Sequence, residues 1–245
     1  MKTNVNKILE CIDHKDYSDA LDLCNDLLDE MQAKFIEDLT VNTATDYVGI
    51  VILYSKISAM MKKPWKAFPK LETARGALRF LKDFMSDSDI LGETYCSFGE
   101  AYAYGSFLPE AVTCFADAAR YFDSEEKSVE ALSSAFFYQE RFGKKVLDDL
   151  SFAEEKFGKD KIRELKKGAK EEVKAQILTD PVESTDDFLK IRFEAEEITD
   201  ELLSENREEG PFCALYWNTK KSVLKERFGI DWKSPAEMNP NIRFY

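Results

Sequence analysis

YCSFGEAYAYGSFLPEAVTCFADAARYFD, residues 95–123, is the stretch whose reading decides the fold. Tyr95, Phe98 and Tyr102 stand three and four residues apart and so share one face of a helix. Gly99 falls inside that helix, where glycine costs about 1 kcal/mol relative to alanine. Close approach of a second helix is the expected compensation. That helix carries the small Ala111 and Ala118, with Phe115 filling the space between. Gly105 is placed to end the first helix, and Pro109 suits the first turn of the next, where its missing N–H is not needed.

An aromatic, an apolar–Gly pair and a Tyr on one helix, then Ala and Phe on the next, resemble the tetratricopeptide repeat (TPR). An ordinary helical hairpin in a bundle is the alternative reading of the same residues. The resemblance implies antiparallel helix pairs that stack and present a groove to a partner segment. In the family the inner face comes from the first helix of each pair. Carried onto this chain, it implies a groove formed by Glu93, Cys96, Ser97, Glu100 and Tyr104, and on the following first helix by Glu130, Ser134 and Tyr138. A subgroup of the family clamps C-terminal carboxylates with Lys and Asn. Cys96, Glu100 and Tyr104 occupy the clamp-like positions, so that function is not implied here.

Outward from the motif, the chain reads as helix after helix. Residues 3–34 form a pair around the turn His14–Tyr17, and residues 43–62 are apolar most of the way round, the pattern of a helix packed on several sides. Pro64 to about Met85 is the next helix, with a late start or a kink at Pro69. Ser86-Asp87-Ser88 and Ser124 lie where caps belong. Val146, Leu147, Leu150, Ala153 and Phe157 predict a return helix, and 159–178 a charged one that includes Ile177. Asp180-Pro181-Val182-Glu183 fits a helix start, with Ser184 or Thr185 as alternative caps. Phe188, Ile191, Ala195, Ile198 and Leu202 form a narrow seam for a capping helix. A polar linker at 206–210, a last helix ending at Gly229, a capped turn at Ser234–Glu237 and an extended end complete the chain. Ala20, Ala67 and Ala111 are separated by 47 and 44 residues, more than the TPR period of about 34. The expected class is all-α: an antiparallel helix-hairpin, TPR-like α-solenoid over 1–178, closed by a C-terminal capping segment over 179–245.

Composition agrees. The 245 residues hold only 10 Gly and 7 Pro, and no apolar run is long enough to span a membrane. The start of the chain lacks the apolar core of a signal peptide. Five cysteines without a CxxC pair read as reduced thiols, which predicts a cytoplasmic protein. The net charge of −13 disfavours nucleic acid and membrane as partners. It is unevenly spread: residues 210–245 carry six Lys/Arg against three Asp/Glu and seven aromatics, leaving −16 on residues 1–209. That contrast predicts that Trp217 and Trp232 pack on the helical body of this chain or of a second copy.

Catalytic motifs are not found. One histidine, His14, stands in a turn with no nucleophile motif beside it, and no GxGxxG, P-loop or HExxH occurs. No cofactor and no metal are expected, and adjacent acids such as Glu196-Glu197 read as solvated faces. Arg clusters for a phosphopeptide, as in the fourteen-three-three family of similar length and acidity, are not found either. The expected function is a non-enzymatic module that binds a basic or aromatic protein segment in the groove. The alternatives are self-recognition, with the tail in its own groove or in that of a dimer partner, and an enzyme using groove carboxylates.

Overall fold

Helix caps and stops written in the sequence set the element boundaries. The computed structural model describes residues 2–174, 178–205 and 212–242, and all regular structure among them is helical, with no strand. The linker 206–210, Ile177 and the end residues Arg243, Phe244 and Tyr245 lie outside the described residues, as do the side chains of Phe212 and Cys213. The helices are α1 (Lys2–Asp13), α2 (Tyr17–Glu37), α3 (Val41–Met60), α4 (Phe68–Phe84), α5 (Ser88–Tyr104), α6 (Leu108–Tyr121), α7 (Glu125–Phe142), α8 (Ser151–Phe157), α9 (Lys159–Lys174), α10 (Asp186–Glu205), α11 (Phe212–Phe228) and α12 (Pro235–Met238). Two compact units result, Met1–Lys170 and Glu171–Tyr245. No described helix is long and apolar enough to cross a membrane.

In the first unit each helix packs on the next from α1 to α4, and α5, α6 and α7 form a second such run. The all-round apolar helix is α3, which packs on α2, α4 and α5 and buries Tyr47, Val48, Val51, Tyr54 and Ile57. Ser55 on α3 donates its hydroxyl to the Ala101 carbonyl of α5 at 3.3 Å. Thr40 and Thr43 form a capping box at the start of α3. Asp87 caps α5 by accepting the Ile90 N–H at 3.0 Å, and Ser124 caps α7. Pro64–Ala67 is a separate 3-10 turn, so the late start of α4 is what occurs, with Pro69 in its first turn. Gly143, at φ 76°, terminates α7 in a left-handed conformation that glycine adopts without a Cβ penalty.

The α5–α6 pair is built from glycines seated on aromatic rings. A Cβ at Gly99 would stand 3.0 Å from the Phe115 ring, and one at Gly92 would stand 2.7 Å from the Phe122 ring. The pairs run in opposite directions along the two helices, seven residues apart on each. Tyr95, Phe98, Tyr102, Ala111, Phe115 and Ala118 are all buried around this seam.

The return helix expected from Val146 is corrected by the structure. Only Ser151–Phe157 is helical, because the Gln139 side-chain carbonyl accepts the N–H groups of Val146 and Leu147 at 3.0 and 2.9 Å. Those backbone donors are thereby satisfied outside a helix. The short α8 still packs on the preceding pair: Arg120 stacks over Phe152 at 4.4 Å, and Lys156 donates to the Phe122 carbonyl and the Ser128 hydroxyl. From α9, Lys166 lies over the Phe136 ring.

The second unit has its own core of Phe188, Ala195, Val223, Leu224 and Trp232, with Ile191, Ile198, Trp217 and Phe228 packed against it. Residues 180–183 start with a 3-10 turn, Pro181–Ser184, capped by Asp180. Thr185 then supplies the acceptor for the Phe188 N–H at the start of α10. Ser234 and Glu237 form a capping box on α12. Asn239 holds both backbone groups of Leu178, accepting from its N–H at 2.8 Å and donating to its carbonyl at 2.7 Å.

Candidate functional site

The groove positions lie on α5 and α7. Every third or fourth residue of α5 on the side away from Phe98 and Tyr102 is polar: Glu93, Cys96, Ser97, Glu100 and, at the end, Tyr104. Glu93 and Glu100 are exposed, Cys96 and Ser97 half-buried, and Tyr104 is 48 % exposed. On α7, Glu130 is exposed and Ser134 half-buried, with its hydroxyl turned back to the Glu130 carbonyl. Tyr138 is half-buried and stacked on Phe115, ring centroids 5.5 Å apart.

Carboxylates of the two helices act electrostatically on one thiol. Burial first, and then Glu100, Glu130 and Glu93, push the Cys96 thiol up to about 12. A nucleophilic role for Cys96 is therefore disfavoured, since the reactive form is the thiolate. The same face shows how it takes a cation. Lys127 places Nζ 2.9 Å from Glu93 and 3.7 Å from Asp89, over the Phe122 ring at 5.5 Å. Sequence reasoning assigned Lys127 no part in this face.

On the other side of α5 the polar groups are turned inward. Tyr102 donates to Glu72 of α4 at 2.6 Å, and Arg75 pairs with the same carboxylate at 3.2 Å. Burial, with that hydrogen bond, raises the Tyr102 phenol well above its ordinary value. Cys114 and Tyr95 are likewise raised, mainly by burial. These contacts fasten helices together.

A second polar cluster lies in the unit 171–245, and it corrects the reading of Glu196 as part of a solvated face. Glu196 on α10 accepts from the Tyr216 hydroxyl and from Lys220 Nζ at 2.5 Å. The Lys220 and Glu196 side chains are only 13 % and 16 % exposed. Lys220 Nζ also lies 5.1 Å from the Trp232 ring centroid and 6.0 Å from that of Phe188. Trp232 Nε1–H donates to Glu183 at 2.7 Å. Trp232 is thus buried on α10 and α11, with its one polar atom satisfied. The only sequence signal was the coincidence of Tyr, Trp and Lys on 212–228, a helix without a single apolar stripe.

Neither cluster has the donor set of a metal centre: among the described residues no group of three or more His, Cys, Asp or Glu is arranged to hold an ion. His14 is exposed, its Nδ1 at 2.7 Å from the Glu10 carbonyl. No protein family, no curated protein and no solved structure matches this chain.

Proposed function

We propose that the chain is a non-enzymatic interaction module, a TPR-like stack of helix pairs whose α5–α7 face binds a basic, aromatic-containing protein segment. One observation carries this reading: Lys127 is held on this face by Glu93 at 2.9 Å and Asp89 at 3.7 Å and lies over the Phe122 ring, while Glu100 of α5 and Glu130 of α7 are exposed. Such a face favours lysine or arginine flanked by aromatic side chains, through charge complementarity and cation–π contact. Tyr104, half exposed at the end of the row, offers a further ring. The unpaired thiols Cys11, Cys24, Cys96 and Cys114 suit a reducing compartment, and the cytoplasm is the proposed location.

The test is calorimetric titration of the full chain with a synthetic peptide alternating Lys and Tyr, beside a Glu–Tyr peptide of equal length. Binding of the first alone is expected, weakening as salt is raised. The Glu93→Gln, Glu100→Gln, Glu130→Gln variant should bind at least tenfold more weakly. Equal affinity for both peptides, or an unaffected triple variant, would overturn the reading.

A further inference from the structure

The three most exposed large apolar side chains among the described residues gather at one end of the unit Met1–Lys170. Ile36, Leu39 and Phe84 are 66, 62 and 64 % exposed. Ile36 lies in the last turn of α2, Leu39 just beyond it, and Phe84 ends α4. A row of rings joins the two helix ends. Phe35 meets Phe80 edge-on with centroids 5.6 Å apart, and Phe80 meets Phe84 at 4.5 Å. On its other side Phe35 stacks on the buried Tyr47 at 6.2 Å. The row thus runs from the core out to the surface. A group of apolar side chains left exposed in this way marks an interaction surface.

The two helices that carry the patch are of opposite charge. α2 holds six acids and one lysine, whereas α4 holds four basic residues and two acids. Asp19, Asp22, Asp26 and Asp29 are all exposed and recur every three or four residues, so they line one face of α2. Arg75, Arg79 and Lys82 do the same on α4. The helices run in the same direction, because both pack on α3, which follows the one and precedes the other through short connections. The Phe35–Phe80 contact fixes their relative level, and near the other end the Lys70 charge acts on Cys24 at nearly the same offset. On that register Glu37 is level with Lys82, Leu39 with Phe84, and Asp29 falls within a residue of Arg75.

We propose that this face of α2 and α4 is the contact surface for a second copy of the chain, related by a two-fold axis parallel to the two helices. Such an axis keeps each residue at its own level and lays α2 of one copy on α4 of the other, twice over. The acidic stripe then meets the basic stripe, Glu37 faces Lys82, and Phe84 covers Leu39 and Ile36. The two signs side by side select this partner. A uniformly acidic protein would be drawn to α4 and repelled by α2, and a uniformly basic one the reverse. The surface that answers both stripes carries them in the opposite lateral order, and the two-fold supplies it from the same sequence. The groove proposed on α5 and α7 contributes none of these residues.

Sedimentation velocity on the full chain tests the pairing. A dimer is expected at about 100 μM, a concentration at which an association of micromolar Kd is nearly complete. Phe84→Glu alters an exposed ring, so it should leave the circular dichroism unchanged and give a monomer. Glu37→Lys or Lys82→Glu alone sets like charges opposite each other at both symmetry-related contacts, and each should weaken Kd by about fivefold or more. Combined in one chain, the two changes restore opposite signs, and Kd should return to within about threefold of the wild type. A monomer at the highest concentration would overturn the proposal and leave the patch to an unrelated protein. A dimer that survives Phe84→Glu would overturn it in favour of another surface. Single charge changes without effect, or a double variant weaker than either single one, would do so too. Should Phe84→Glu fail to fold, the charge exchange alone decides.

Discussion

Gly92 and Gly99 show how single residues set the core. Both lie in a helix, and both meet an aromatic ring where a side chain would begin. Gly99→Leu is expected to destabilise the protein by about 1–3 kcal/mol through overpacking, lowering Tm by roughly 2–4 °C for each kcal/mol. Gly76 on α4 has open space around its missing Cβ and an exposed position. Gly76→Ala should stabilise the protein instead, by about 1 kcal/mol of helix propensity, and so raise Tm. An opposite ordering of the two variants in thermal melts would remove the seam as the cause. Gly99 was legible because its neighbours Tyr95, Phe98 and Tyr102 mark a helix face around it. Gly92 was not, since its partner Phe122 is thirty residues away and no local pattern connects them. At Cys96, the Glu100→Gln, Glu130→Gln variant should be alkylated faster at about pH 9 than the wild type, by less than tenfold. The carboxylates are the lesser cause and burial remains. An unchanged rate would mean that the two helices do not bring their acids to the thiol.

Among elements, those with chemical signals at their ends were readable. Ser124 caps α7 as the sequence implies, and within Ser86-Asp87-Ser88 it is Asp87 that caps α5; the Thr40 cap of α3 was not read. Periodicity failed at 146–150, where Val146 and Leu147 have the spacing of a helix but give their N–H groups to Gln139. A tertiary acceptor seven and eight residues back overrides local pattern, and spacing alone cannot reveal it. That Glu93, Cys96, Ser97 and Glu100 share one side of α5 was legible, because the helix is regular. The Glu183–Trp232 and Glu196–Lys220 contacts were not, because hydrophobic patterning finds apolar stripes and is blind to polar groups paired inside. Asn239 supplies a test at this scale. Its side chain is buried and satisfies two backbone groups of Leu178. Asn239→Ala should cost about 1–3 kcal/mol, the penalty for leaving buried polar groups unmet, read as a lower urea midpoint. A midpoint unchanged from wild type would show that water replaces the side chain there.

For the whole molecule the governing quantity is charge. At −13, the chain repels itself, and its ion pairs are largely exposed, as at Lys34–Glu30 and Lys145–Asp148. Exposed pairs contribute little each. Screening the net charge should therefore outweigh screening the pairs, and Tm should rise by a few degrees between about 10 and 200 mM salt. A fall in Tm would assign more to the surface pairs than their exposure allows. The meshing of Gly92 and Gly99 with Phe122 and Phe115 also decides where the chain tolerates a change in length. One residue added to the bend at 105–107 would carry every ring past its seat at once. A tag spliced into that bend should therefore be refused.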